Sequence, residues 1–281
     1  MTIHLAQHYG MCFGVRDALR ATHNASTQEP VTILGQLVHN PVVDAHLTTL
    51  GVRRGELDLL ESATTQRVVI TAHGASDVHR QRWQEAGHQI TDTSCPLVKK
   101  AHQALATLVE EGYHPVVIGQ RTHVEVRGLI GDYPQASVLL TAEDACCIPG
   151  YSKLGVISQT TQPLEQVLRI VDAIKHRHRN SEVRFVDTVC RPTKQRQTAL
   201  EELTRLCDFI VVIGGRNSNN TRQLAEKARA LGVKVQQVET AEDLRPDWFR
   251  GVNHVGVTAG TSTLDETVRS VMDRLQFLSK Q

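Results

Sequence analysis

Two hydrophobic periods alternate along the chain. Short β-branched runs such as "VVITAHG" at 68–74, "HQITDTS" at 88–94, "LGVISQTT" at 154–161 and "VGVTAGTS" at 255–262 read as strands running into polar loops. Between such runs the apolar positions fall at helical spacing. In "PLVKKAHQALATLVEE", residues 96–111, Leu97, Val98, Ala101, Ala104, Leu105, Leu108 and Val109 share one stripe, so an amphipathic helix is predicted with Pro96 at its first position. Alternating strands and helices favour parallel sheets joined by right-handed crossovers, with ligand sites beyond the carboxyl ends of the strands.

The pattern also repeats. "DTSCPLVKKAHQALATLVEEGYHPVVIG" at 92–119 and "DTVCRPTKQRQTALEELTRLCDFIVVIG" at 187–214 agree without a gap at 11 of 28 positions, where unrelated segments would agree at about two. A third copy opens at Cys12 in "CFGVRDAL" and reaches Gly35 after 23 residues, against 24 from Cys95 to Gly119 and 24 from Cys190 to Gly214. One third of the 281 residues is about 94, which agrees with the repeat spacing. The predicted fold is α/β: three pseudo-threefold-related α/β units, 1–94, 95–187 and 188–281, each with a small, mainly parallel sheet, arranged around a central cavity. The N-terminal strand is expected to pair with the sheet of the third unit.

Composition narrows the function. The chain is 40% hydrophobic and 22% charged, with a formal net charge of +1, and only 4% of its residues are aromatic. It therefore offers neither a general attraction to nucleic acid or anionic membrane nor stacking platforms for bases. No apolar run approaches the roughly 18 residues of a membrane helix, and the first ten residues lack a basic start followed by an apolar run. The expected location is cytoplasmic, where six cysteines argue for thiol or metal chemistry over a disulfide framework.

Cys12, Cys95 and Cys190 occupy equivalent strand-to-helix loops, so all three are expected at carboxyl edges of sheets. Cys146, Cys147 and Cys207 fall at no repeated position and are read as small buried apolar side chains. A helix N-terminus favours a thiolate by roughly 0.3–1 kcal/mol, too little to hold three like charges together without a metal centre. Three soft ligands suit iron–sulfur chemistry better than tetrahedral zinc, which usually takes a fourth protein ligand. A cubane held by three thiolates keeps one iron open to substrate.

A second set of polar residues recurs with the cysteines. His39, His123 and Ser218 stand at one equivalent loop position; His73, Thr160 and the "AGTS" segment ending at Ser262 stand at another. Imidazoles, hydroxyls, amides and backbone N–H groups at parallel-sheet edges suit phosphate, and Gly119, Gly214 and Gly215 let backbone approach such a ligand closely. Glu125, two residues beyond His123, is the carboxylate of this ring; buried, it would have a raised pKa and could deliver protons. The basic run "KHRHR" at 175–179 reads as a solvated helix end, and "TAED" at 141–144 and 240–243 as repeated scaffold.

Over essentially its whole length the chain resembles the family of 4-hydroxy-3-methylbut-2-enyl diphosphate reductase. The segments that carry the likeness are "GMCFGV", "LVHN", "AHG", "TSCPLV", "HVEVRG", "SQTT", the Cys190 segment with Arg196-Gln197, "NSNN" and "VTAGTS". The resemblance implies a central 4Fe-4S cluster held by Cys12, Cys95 and Cys190, with one open iron. It also implies a two-electron reductive dehydroxylation of the allylic diphosphate to isopentenyl and dimethylallyl diphosphate, the last step of the methylerythritol phosphate route. Thr160 and Glu125 would orient and protonate the leaving oxygen, with His123 assisting. His39, His73, His123, Ser218, Asn220 and Ser262 would bind the diphosphate; electrons would come from a ferredoxin or flavodoxin. The chain departs from the family's usual pattern at Met11, Val124 and Leu264, and at Asn219, which stands where a second diphosphate-binding Ser is expected and still offers a donor. These departures leave open a paralogous 4Fe-4S enzyme acting on another phosphorylated or allylic compound. A non-catalytic iron–sulfur or zinc sensor and a metal-free sugar- or nucleotide-binding protein also stay open.

Overall fold

In the computed structural model, residues 1–280 are described. Twelve strands lie among them: β1 (Thr2–Leu5), β2 (Val31–Leu34), β3 (Arg53–Gly55), β4 (Arg67–Ile70), β5 (Gln89–Asp92), β6 (His114–Ile118), β7 (Ser137–Leu139), β8 (Lys153–Ser158), β9 (Glu182–Phe185), β10 (Phe209–Ile213), β11 (Lys234–Val238) and β12 (His254–Ala259). They form three four-stranded sheets in the orders β3-β2-β4-β5, β7-β6-β8-β9 and β11-β10-β12-β1. Every pairing is parallel. The three orders are one order. Each sheet has the same arrangement of an edge strand, two central strands and a second edge strand, and in the last sheet that second edge is β1.

The sequence explains which strands are central. "VTIL" in β2, "HPVVI" in β6 and "FIVVI" in β10 are buried at every residue, as strands covered on both faces must be. The edges β1, "TIHL", and β5, "QITD", are instead half-exposed. Nine α-helices recur in the same threes among the described residues: α1 (Phe13–Gln28), α4 (Pro96–Glu110) and α7 (Arg191–Leu206) follow the cysteine loops. After them come α2 (Pro41–Thr49), α5 (Val124–Ile130) and α8 (Asn219–Ala230), then α3 (Asp77–Glu85), α6 (Leu164–Arg177) and α9 (Asp265–Leu278). In α4 the stripe predicted from spacing is the buried one: Val98, Ala101, Leu105 and Leu108 are fully buried and Pro96 begins the helix. No helix among the described residues is long and apolar enough to cross a membrane.

Two compact units emerge from the contacts: residues 1–15, 38–44 and from 191 on, and residues 16–37 with 45–190. The first holds the sheet of β1, β10, β11 and β12. Val268, Val271 and Leu275 of α9 cover one face of that sheet, and Leu200, Leu203, Leu224 and Ala228 of α7 and α8 cover the other. The second unit holds the other two sheets. Val167, Ile170 and Ile174 of α6 and Leu105 and Leu108 of α4 pack on the β6–β9 sheet, while Trp83 of α3 packs on β4. Within this unit the Asp132 carboxylate accepts from the backbone N–H groups of Asp77 and Val78, so a loop after α5 caps the first turn of α3.

Both "TAED" segments are scaffold, as expected. Asp144 accepts from Leu140 and Thr141 N–H, and Asp243 accepts from Glu239 and Thr240 N–H, the same pair of bonds in two sheets. The run 175–179 supplies Lys175, His176 and Arg177 to the last turn of α6, where cations oppose the helix dipole. One expectation is corrected: Cys207 is buried, its thiol pushed up to about 11 by loss of water, but Cys146 and Cys147 are exposed. Those two end a 3₁₀ turn whose buried positions belong to Ala145 and Ile148, so the outward side of the turn is left to the thiols.

Candidate functional site

The equivalent strands fix where the chemistry lies. Cys12 follows β1, Cys95 follows β5 and Cys190 follows β9, always the outer strand on the same side of the sheet, at its carboxyl end. Each is a half-buried cysteine and each makes the same backbone bond. Cys12 N–H donates to Thr261 O at 3.0 Å, Cys95 N–H to Ala72 O at 3.0 Å and Cys190 N–H to Thr160 O at 2.9 Å. The acceptors lie in the loops after β12, β4 and β8, so every cysteine loop is tied to the loop of the neighbouring central strand. In two of the loops an aspartate turns the chain: Asp92 accepts from Ser94 N–H and Asp187 from Val189 N–H. Those aspartates open the repeated "DT" of the sequence.

The second set of residues is placed by the same rule. His39, His123 and Ser218 follow the central strands β2, β6 and β10, each four residues beyond the glycine that donates to the outer strand: Gly35 to Gly55 O, Gly119 to Leu139 O, and Gly214 to Val238 O, at 2.9, 2.7 and 2.9 Å. His123 and Ser218 are N-caps, of α5 and α8. His123 Nδ1 accepts from Glu125 N–H at 3.1 Å, so the ring proton of neutral His123 sits on Nε2. His73, in the loop after β4, lies against it, the ring centroids 5.6 Å apart and edge to face.

Gly214, at φ +141, occupies backbone space that side chains rarely enter; a Cβ there would come within 2.6 Å of the Thr221 and Thr263 hydroxyls. Around it in the first unit, Ser218, Asn219, Asn220 and Ser262 are all buried. Asn219 Oδ1 accepts from the Arg222 guanidinium. Asn220 Oδ1 accepts from Thr261 N–H at 3.0 Å, while its Nδ2 is buried with no hydrogen-bond partner among the described residues. A buried amide donor left unmatched costs roughly 1–3 kcal/mol, so the loop is built to meet an acceptor. Ser262 Oγ donates to His39 O, and His39 is followed by Asn40, whose Nδ2 donates to Ser262 O at 2.6 Å.

Glu125 is 2% exposed. One carboxyl oxygen accepts from Thr160 N–H at 2.6 Å and the other from Thr160 Oγ1 at 3.1 Å. Burial raises its pKa to about 7, overcoming the two Thr160 bonds that pull the other way. Thr160 thus joins a protonatable acid to a cysteine: its carbonyl receives Cys190 N–H while its own N–H and hydroxyl address Glu125.

Residues to which the sequence assigned no role hold these loops. Arg196, buried at the start of α7, donates to Tyr9 O and Gly10 O just before Cys12, and to Pro192 O. Gln237 donates from Nε2 to Gly214 O and Gly215 O, both at 3.1 Å. Asn40, the last residue of "LVHN", was legible only through the resemblance. The departures from the family pattern leave the helix starts intact: Val124 and Asn219 are the first residues of α5 and α8, and Leu264 precedes α9.

Three all-parallel sheets carrying one cysteine each at a repeated edge define a class: an α/β protein of triplicated architecture whose thiols and polar loops share the carboxyl edges of the sheets. The chain belongs to the LytB protein family, whose sequence profile matches residues 3–276. It is 38% identical over 283 residues to the 4-hydroxy-3-methylbut-2-enyl diphosphate reductase of Geobacter sp. (strain M21), covering 100% of this chain and 99% of that one. To the enzyme of the same name from Aquifex aeolicus (strain VF5) it is 35% identical, covering 97% and 95%. Among solved structures, the E-1-hydroxy-2-methyl-but-2-enyl-4-diphosphate reductase of Plasmodium falciparum superposes with a TM-score of 0.92 at 26% identity, covering 98% of this chain and 88% of that one. The structure described as (E)-4-hydroxy-3-methyl-but-2-enyl diphosphate reductase, the terminal enzyme of the non-mevalonate pathway, gives 0.70 at 33% identity, covering 99% and 100%.

Proposed function

We propose that this chain is a cytosolic 4-hydroxy-3-methylbut-2-enyl diphosphate reductase, an iron–sulfur oxidoreductase of isoprenoid synthesis. The observation that carries the reading is the hydrogen-bonded succession Cys190–Thr160–Glu125, which sets a carboxylic acid with a pKa of about 7 beside a cysteine that recurs in every sheet.

The donor set fits a 4Fe-4S cluster. Cys12, Cys95 and Cys190 are the half-buried cysteines, in loops closed by one repeated bond, whereas Cys207 is held protonated in a core. When bound, the cluster would relay the two electrons of the reduction one at a time from the donor and would offer a Lewis-acidic iron. Everything else falls to the chain. The reaction takes up two electrons and two protons: the C–O bond of the allylic alcohol breaks, one proton leaves with the oxygen as water, and the other goes to carbon of the allyl unit. Glu125, half-protonated near neutrality, gives its proton to that oxygen, and Thr160 Oγ1 aligns it. The Nε2–H of His123 and the Asn220 Nδ2 donor suit diphosphate oxygens; Ser218, Asn219, His39, His73 and Ser262 complete the set. A non-catalytic sensor has no use for a buried acid tuned to neutral pH. Electrons come from a ferredoxin or flavodoxin.

Anaerobic purification followed by iron and sulfide analysis tests the centre, with about four of each expected per chain. Single Cys12→Ser, Cys95→Ser and Cys190→Ser variants should each lose cluster, while Cys207→Ser keeps it. Reduced protein that holds its cluster yet leaves hydroxymethylbutenyl diphosphate untouched would exclude the proposed reaction.

A further inference from the structure

The proposed reaction consumes two electrons, and the first unit has a surface suited to their delivery. A cavity of about 250 Å³ opens where the segment before α1 meets the first turns of α7, lined by His8, Tyr9, Cys12, Phe13, Gln195 and Arg196 among others. Phe13, directly after Cys12, is 46% exposed and lines the opening. It marks the rim.

The charge around this opening is one-sided. The two segments that line it, 7–13 and 191–197, hold His8, Arg191, Lys194 and Arg196 and not one carboxylate, in a chain whose net charge is only +1. Arg196 is buried on backbone carbonyls, but Arg191 and His8 face solvent. Asp265 lies close to Gly10. The balance stays positive. At 250 Å³ the cavity is below the usual size of a small-ligand pocket, which suits a protrusion from a partner better than a whole cofactor.

We propose that this surface, centred on Phe13 and Arg191, is where a small acidic one-electron carrier protein docks and delivers electrons by way of Cys12. The inference rests on the reading of Cys12 as a ligand of the redox centre. Opposite charge steers such a carrier to the opening, and the exposed ring supplies a desolvated apolar contact at its middle. Carrier complexes of this kind are small and turn over quickly, so a single apolar anchor within a charged rim suffices.

The test uses cluster-loaded protein and an acidic ferredoxin as probe. Affinity for the oxidised ferredoxin, measured by thermophoresis across an ionic-strength series, should weaken about tenfold in Arg191→Glu and in Phe13→Ala, with a flatter salt dependence in the first. Arg177→Glu, in the separate basic run at the end of α6, should leave the affinity unchanged. In turnover, both docking variants should lose about tenfold of ferredoxin-driven kcat/KM and keep methyl-viologen-driven rates and the KM for the diphosphate within about twofold. Unchanged ferredoxin affinity, an equal loss with both donors, or a raised diphosphate KM would overturn the proposal, the last pointing to a substrate entrance. If the wild type fails with methyl viologen, the proposed reaction falls, while the binding series still reads the surface.

Discussion

In the proposed reaction, Glu125 concentrates the chemistry in one residue. Its carboxyl is neutral below its folded pKa of about 7, against 4.5 for the unfolded chain. The folded state therefore holds more protons than the unfolded state between those values, and stability from this group is present below about pH 4.5 and lost as pH rises to about 7. At 1.36 kcal/mol per pH unit the loss is of the order of 3 kcal/mol. Denaturation of cluster-free protein at pH 5 and pH 8 should show a fall that Glu125→Gln abolishes, since the amide never ionises. The same change should cost at least 100-fold in kcat while iron content is kept, and the alkaline limb of the wild-type rate profile should centre near pH 7. A variant with an unchanged rate would remove Glu125 as the acid. Asn220 allows a second test. Asn220→Asp keeps the acceptor for Thr261 N–H and replaces the unmatched donor by a negative charge, so the KM for diphosphate should rise at least tenfold with the circular dichroism spectrum unchanged. Glu125 stood out in the sequence because its loop repeats, Asn220 only through the resemblance carried by "NSNN". The burial of Glu125, which sets its pKa, was not: it comes from chain packed around α5 that no local pattern announces.

At the scale of the element, a loop that carries function is held by a residue on another element. Arg196 of α7 shows this, committing its guanidinium to the carbonyls of Tyr9 and Gly10, three and two residues before Cys12. Hydrogen bonds from a buried charged group contribute roughly 1.5–3 kcal/mol each. Arg196→Ala should therefore lower the stability of the protein by about 2–4 kcal/mol in urea denaturation, with faster loss of iron to a chelator as the separate sign of a loosened Cys12 loop. Arg196→Lys, which keeps charge but not the fork, should recover only part of either. An unaltered chelation rate would confine Arg196 to folding. Helices and strands themselves were readable, α4 to its first residue, because burial stripes and turn chemistry are local. The long-range bonds that fix the loops join residues nearly 190 positions apart, and the exposed Cys146–Cys147 turn was misread because so short a 3₁₀ helix carries no periodicity.

Across the whole molecule, the order of strands accounts for the odd phase of the repeat. The strand before each cysteine closes a sheet, and in the sheet of β10–β12 that closing strand is β1, so the chain's first residues complete what its last residues begin. The sequence repeat was visible as spaced cysteines and glycines; that its third copy is split between the two termini appeared only as one weakly patterned strand, "TIHL". A consequence concerns metal. Each cysteine loop belongs to a different sheet and depends on one shared bond, from Cys12, Cys95 or Cys190 N–H to the neighbouring loop. A cluster bound through all three sulfurs stabilises only the folded chain, by about 2.7 kcal/mol at a free concentration one hundred times its dissociation constant. Removing it should thus loosen three distant stretches together, 11–13, 94–96 and 189–191, while the buried amides of β2, β6 and β10 stay protected. Hydrogen exchange of anaerobic cluster-loaded protein against chelator-treated protein measures this directly. Faster exchange in all three stretches is the expected result; faster exchange in one or two would mean that the remaining cysteine is not a ligand.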